Sequence, residues 1–358
     1  MIFFIQIILP DKQYSDSERR PLQPVPAFSA YELSNGLFMD CFDLYVLDQF
    51  PLRDRFRTVK ATFEKYVFLK KDCNDIYEAD GHLSKMIYPL NEKMLQHASE
   101  RFSYLYENYF NDKGWTPYFI IVPDKNYYLA EKNDYLSLPY DELYSYMENS
   151  NDNMKFIDIR ERLELDDYYF TDTHWKQENL TDLSEFIVSE MNPDILLKPV
   201  EYTMNTLSEP FYGVYYGQAA LPHKPDEMHY LTNETLKNCT VTYFDGKKEP
   251  VSADMYDFNK GKGKDPYELF LSGTMPLITM DNPSSQSDRT LLMFRDSFGS
   301  SLAPLLVPYY ERIIMIDIRY MKSDVLGNYV PFESLSEENT DVLFLYSTYL
   351  LNDSMSLS

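Results

Sequence analysis

The segment TLLMFRDSFGSS, residues 290–301, reads as a strand running straight into a helix. Thr290 to Phe294 form an apolar run without alternation, the pattern of a strand buried on both faces. The polar trio Arg295-Asp296-Ser297 breaks the run, and an apolar helix follows around LAPLLVPYY. Strand, short turn and helix form the building unit of a parallel α/β sheet.

Segments on either side repeat the unit. RIIMIDI (312–318) and DVLFLYS (341–347) downstream, and YFIIVP (118–123) and KFIDIR (155–160) upstream, read as buried strands. Helical stripes accompany them. Phe38, Phe42 and Tyr45 precede Pro51, and Leu52, Phe56, Val59, Phe63 and Val67 follow it. A third stripe is Met94, Ala98, Phe102, Leu105 and Tyr109; these three are expected to face a core. Leu180, Leu183, Ile187 and Met191 mark another helix, which stops at Asn192-Pro193. Residues 194–265 change character, with turn signals such as FDGKKEP and NKGKGKD, and read as an insertion of short strands and loops. The expected fold is α/β, three layers around a mainly parallel sheet over residues 37–355.

The leading stretch MIFFIQIILP is apolar but too short for a membrane span of ~20 residues. It is either a buried strand or the end of a signal anchor. The polar, proline-rich DKQYSDSERRPLQPVPAF that follows favours the anchor. Residues 1–36 are therefore expected to be the end of an anchor and its linker.

Charge narrows the partners. Thirty-three basic residues face 57 acidic ones, for a net charge of −24, which argues against nucleic acid. Tyrosine is abundant at 32 and glycine scarce at 11, which excludes low-complexity and fibrous classes. Cys41, Cys73 and Cys239 lie far apart with no CxxC pair, which argues against a zinc site or disulfide framework and leaves one bridge open. No HExxH, Walker loop or GxGxxG occurs, so no metal or cofactor is expected.

Open α/β sheets place their chemistry beyond the carboxyl ends of strands. Ser297 falls there, on a tight turn before a helix, where its hydroxyl would be exposed and the N–H of Ser297 or Phe298 near a developing oxyanion. Alternatively Ser297 or Asp296 merely caps the helix. The second segment is YYFTDTHWKQENL, residues 168–180. In extended chain, residues i and i+2 share a side, so Asp172 can bond one imidazole nitrogen of His174 and leave the other as a base. The bland alternative is an Asx-turn with an incidental histidine. Taken together the two segments complete a Ser–His–Asp set. Trp175 reads as a packing residue opening the next helix and as a candidate wall of a cleft.

Beyond these residues the sequence resembles the DHHW family of Gram-positive bacterial proteins, relatives of the SGNH-hydrolase-like alginate O-acetylation proteins AlgJ and AlgX. The resemblance covers nearly the whole chain. It rests on ILPDKQYSDSERR, LYVLDQFPLRDRF, IYEADGHL, VPDK, YYFTDTHW, FYGVYYG, ELFLSGTMPL, LLMFRDSFGSSLAPLL and IIMIDIRY in that order. It implies an SGNH-type fold with the Asp-x-His element ahead of the serine, and a triad of Ser297, His174 and Asp172. Phe298, Gly273, Thr274, Arg295 and Asp296 would support the oxyanion, and Trp175, Tyr169, Lys125, Arg319 and Tyr212 would contact substrate. It also implies an extracytoplasmic, membrane-tethered enzyme that O-acetylates or deacetylates cell-surface polysaccharide, with a membrane-bound O-acyltransferase as acyl donor. Three positions depart from the family pattern. Thr173 replaces a second histidine, RDSF replaces Lys-Asp-Ser-Tyr, and Ser272-Gly273-Thr274 stands where Gly-Gly-Asn is common. Thr274 lacks the amide donor of asparagine, which keeps open a second function: a glycan-binding or assembly subunit without catalysis.

Overall fold

The apolar runs become the central strands of a sheet in the computed structural model, which describes residues 10–193, 197–246 and 249–358. The described chain divides into two compact units. The first holds residues up to Lys85, Phe170–Asp172 and Tyr212–Asp226. It contains the two-residue strands β1 (Tyr14–Ser15) and β2 (Arg20–Pro21), helices α1 (Ala30–Ser34), α2 (Leu37–Asp48) and α3 (Arg53–Tyr66), and the hairpin of β3 (Ile76–Ala79) and β4 (His82–Lys85). A small core gathers Ala61, Cys73, Ile76, Leu83, Tyr215, Ala219 and Leu221.

The second unit holds Met86–Tyr169, Thr173–Phe211 and Glu227–Ser358. In chain order it carries α4 (Glu92–Leu105), β5 (Tyr118–Val122), α5 (Tyr140–Asn149), β6 (Lys155–Phe156), α6 (Thr181–Met191), a ribbon of β7 (Thr203–Thr206) and β8 (His229–Thr232), β9 (Thr240–Phe244), β10 (Val251–Ala253), β11 (Leu277–Asp281), β12 (Thr290–Arg295), α7 (Gly299–Leu306), β13 (Arg312–Ile316) and β14 (Thr340–Ser347). Among the described residues these make an eight-stranded sheet in the order β10-β9-β11-β13-β12-β14-β5-β6. From β13 to β6 the pairing is parallel; β10, β9 and β11 add an antiparallel flank. Two of those flanking strands come from the 194–265 segment.

The strand pleat sorts side chains into two cores. Leu291 and Met293 of β12 join Leu302 and Leu305 of α7 and Leu183 and Ile187 of α6 on one face. Leu292 and Phe294 join Phe102 of α4 and Leu143 and Met147 of α5 on the other. Both faces are covered, as parallel strands require, and the result is the expected three-layer α/β arrangement.

Two expectations change. KFIDIR pairs only over Lys155–Phe156, where it forms the sheet edge. The stripe Leu52, Phe56, Val59, Phe63 and Val67 is exposed, each by about half or more, and Phe42 of the preceding stripe is exposed too. Helical spacing shows which residues share a face of α3 but not which way that face points; Ala61 on the opposite side enters the core. The third stripe keeps Ala98, Phe102 and Leu105 buried, as expected. The expected anchor end falls on residues 1–9, outside the described residues. Among the described residues no helix is long and apolar enough to cross a membrane.

Candidate active site

β12 ends at Arg295, and α7 begins four residues later at Gly299. A Cβ at Gly299 would lie 2.8 Å from Arg295 Cβ and 3.1 Å from Met293 Cε, so only glycine lets the helix turn back this closely over its own strand. The carboxylate of Asp296 holds the turn. Its Oδ1 accepts from the Phe298 N–H at 3.0 Å, and its Oδ2 accepts from the Ser347 N–H at 2.8 Å, at the end of β14. Ser297 is left half-buried at the tip, its Oγ 2.8 Å from His174 Nε2.

His174 is 7% exposed and its ring is held from several sides. Tyr168 and Trp175 form an antiparallel bridge, and the Tyr169 N–H donates to the His174 carbonyl at 3.1 Å. The imidazole stacks flat on Tyr267, centroids 3.7 Å apart at 6°, and tilts against Phe298 at 5.0 Å. Ser301, in the first turn of α7, gathers the surroundings. Its Oγ accepts from Trp175 Nε1 at 2.9 Å and bonds the Tyr267 hydroxyl at 2.8 Å, and its carbonyl accepts from Gln177 Nε2 at 2.8 Å.

Asp172 belongs to the first unit and has no exposed surface. Its Oδ2 accepts from the Val214 N–H at 2.8 Å and lies 3.6 Å from Arg19 Nη1. The backbone just before it is clamped by Asp226, which accepts from the N–H groups of Phe170 and Thr171 at 2.6 and 2.8 Å and from Thr171 Oγ1 at 2.6 Å. Gly213 packs directly on Asp172: a Cβ there would fall 2.4 Å from its N, Cα and Cβ. The first glycine of FYGVYYG is thus explained by close approach.

Oxyanion donors divide unevenly. The Phe298 N–H is already engaged by Asp296, whereas the Ser297 N–H has no acceptor among the described residues. Leu271, Ser272 and Gly273 adopt three successive left-handed conformations, φ 54°, 58° and 78°. The two non-glycine residues cost roughly 1–3 kcal/mol each in that region and persist only where neighbours hold them. Ser272 Oγ donates to Asp257 Oδ2 at 3.0 Å, and Arg295 Nη2 donates to the Gly273 carbonyl at 3.5 Å. Thr274 follows, exposed.

Buried charge surrounds the turn. Asp317, just past β13, accepts from Arg319 Nε and Nη2 at 2.8 and 2.6 Å and sits 3.6 Å from Arg295 Nη1. Burial pulls the Arg295 guanidinium below its ordinary pKa. Burial also opposes ionisation of Arg319, but its bonds to Asp317 outweigh this and raise it. Asp124, just past β5, is pushed up by burial while Thr348, Tyr140 and the Asn126 N–H pull it back.

No protein-family model and no curated protein matches this chain. Solved structures are. A DHHW family protein from Eubacterium siraeum aligns over 79% of this chain and 95% of its own length, with 19% identity and a TM-score of 0.59. The chain has the fold of a DHHW family protein. PatB1 of Bacillus cereus shares this fold over 77% of the chain and 96% of PatB1, at 16% identity and TM-score 0.58. A second PatB1 structure, carrying a sulfonyl adduct, aligns over 77% and 97% at 15% identity and TM-score 0.60.

On this DHHW fold the residues singled out from sequence separate into groups. Ser297, His174, Phe298, Arg295 and Asp296 converge on the β12–α7 turn, and Gly273 reaches it through the Arg295 guanidinium. Trp175 and Tyr169 have no exposed surface and Lys125 is 2% exposed, with its ammonium donating to the Tyr169 carbonyl at 2.9 Å. These three brace the His174 hairpin from inside, in keeping with the packing role read for Trp175, and none of them has the exposure that the expected substrate contacts need. Arg319 is partly exposed, and Tyr212 is 40% exposed in the first unit. Tyr267, Ser301, Asp226 and Gly213 were not singled out. Gly213 and Ser301 fall within segments that carry the family resemblance, FYGVYYG and LLMFRDSFGSSLAPLL, whereas Tyr267 and Asp226 lie outside them.

Proposed function

We propose that the chain is a serine-dependent O-acyltransferase or esterase acting on acetylated cell-surface polysaccharide. The 2.8 Å contact between His174 Nε2 and Ser297 Oγ, on a strand-to-helix turn, carries this reading. His174 Nε2 takes the proton as Oγ attacks the acetyl carbonyl carbon. The tetrahedral oxyanion meets the Ser297 N–H, and Asp172, two residues before the base, holds the imidazole tautomer. Collapse breaks the ester C–O bond, and His174 returns the proton to the departing oxygen, leaving acetyl-serine. A sugar hydroxyl or water then attacks the acyl carbon, giving its proton to His174, and Ser297 Oγ leaves and is reprotonated. The resemblance supports an extracytoplasmic setting, with a membrane-bound O-acyltransferase delivering the acyl group.

The test is hydrolysis of an aryl acetate by the parent and by Ser297→Ala. Equal rates overturn the reading. The sulfonyl adduct on PatB1 suggests a direct probe: a sulfonyl fluoride should add one sulfonyl group to the parent, mapped by mass spectrometry to Ser297, and none to the variant.

A glycan-binding subunit without turnover is the second reading. It is favoured by the engagement of the Phe298 N–H and by the exposed Thr274 in place of an amide donor. A parent inert to the sulfonyl fluoride that still binds acetylated glycan selects it.

A further inference from the structure

We propose that α3 and the residues that follow it, up to Lys71, dock on the surface of an anionic lipid bilayer. The helix is amphipathic in the reverse sense to a core helix. Leu52, Phe56, Val59, Phe63, Tyr66 and Val67 share one face and are each about half or more exposed, and Phe68 and Leu69 continue the patch at 69% and 78%. Single exposed apolar residues need no explanation, but a contiguous helix face marks an interaction site.

Charge identifies the occupant. Residues 53–71 carry seven basic and two acidic side chains in a chain whose net charge is −24. Arg53 and Arg57 pair with Glu18, Lys65 with Glu78 and Lys70 with Glu64. Arg55 and Lys60 are both exposed and in no close ion pair among the described residues; Arg55 has no acidic partner there, and Lys60 acts on Glu64 only through space. At 100° per residue they flank the apolar stripe on its two sides, where long cationic stems lie along an apolar surface and reach headgroup phosphates. A second copy would set these cations against its own.

The chain path agrees. Asp11 accepts from the Tyr45 hydroxyl at 3.0 Å, and Lys12 exchanges two bonds of 2.9 Å with the Gln49 side chain. The sequence ahead of this tie, MIFFIQIIL, is apolar.

The experiment places a reporter on the stripe of the full chain, Phe63→Trp. The two native tryptophans, Trp115 and Trp175, are buried and shielded from lipid. With vesicles of phosphatidylcholine and phosphatidylglycerol bearing brominated acyl chains, the new indole should shift to the blue and be quenched. Adding Arg55→Gln and Lys60→Gln should raise the lipid concentration at half-quenching by about 30-fold, from about 1 kcal/mol per surface cation. No quenching at saturating lipid overturns the proposal, as does equal quenching by phosphatidylcholine alone with no effect of the charge variant. Light scattering that finds a dimer, with the indole shielded from lipid by the partner copy, assigns the face to self-association and overturns it too.

Discussion

The imidazole of His174 lies flat on the phenol ring of Tyr267, centroids 3.7 Å apart and planes 6° from parallel. The phenol is fixed at its far end by Ser301 Oγ, which also receives the Trp175 indole N–H. A helix residue thus sets the plane of the ring that sets the imidazole. Tyr267→Phe keeps the plate and should leave turnover within a few-fold, at about 0.5–1.5 kcal/mol of stability. Tyr267→Ala removes the plate and should lower kcat roughly 100-fold with little change in KM, because misplacement of a reacting group costs on that scale. Steady-state kinetics on both variants decide it; unchanged kcat in the alanine variant means the stack does not position the base.

Ser297 and His174 act as one unit in the proposed chemistry, so their losses should not add. Either Ser297→Ala or His174→Ala is expected to lower ester turnover by roughly 10⁴-fold or more, and the double variant should be no worse than the poorer single. Rate constants for the three variants test this. Multiplying losses would mean the two residues contribute independently.

The central strands were legible because strands covered on both faces read as unbroken apolar runs, as residues 291–294 of β12 and 342–346 of β14 do. Leu277–Asp281 escaped notice because its short run LITMD lies outside the βα rhythm, in the antiparallel flank. The stripe of α3 was visible while its direction was not, since the spacing of Phe56, Val59 and Phe63 is the same whether they meet a core or solvent. At the candidate site, Ser297 and His174, whose side chains meet at 2.8 Å, are the two residues that local order picks out: strand then serine, and Asp-x-His. Tyr267 and Ser301 act through residues about a hundred positions away, and no local pattern encodes such partners.

Gly213 offers a probe of Asp172 that leaves its carboxylate in place. In Gly213→Ala the new methyl would fall within 2.4 Å of three Asp172 atoms, so the backbone must move. Overpacking of this kind costs about 1–3 kcal/mol. If Asp172 orients the base, kcat should fall roughly tenfold or more in protein that remains folded by circular dichroism. A variant destabilised to that degree but fully active at a temperature below its transition would separate Asp172 from the chemistry.

Asp48, at the end of α2, predicts how the first unit responds to acid. Arg20 grips both carboxylate oxygens, at 2.6 and 2.9 Å, and the Gln23 N–H adds a third bond at 2.9 Å. The bonds from Arg20, helped by the Gln23 N–H and opposed by burial, hold the Asp48 carboxyl below its ordinary value. A depressed carboxyl stabilises the folded state above its unfolded pKa, and the contribution is lost as pH falls through the folded one. The window therefore opens at about pH 4 and extends downward. Asp48→Asn should lower the melting temperature at pH 7 and lose less on acidification to pH 3 than the parent does. Thermal melts at the two pH values measure the difference of differences; parallel losses in parent and variant would place the acid sensitivity in other carboxylates.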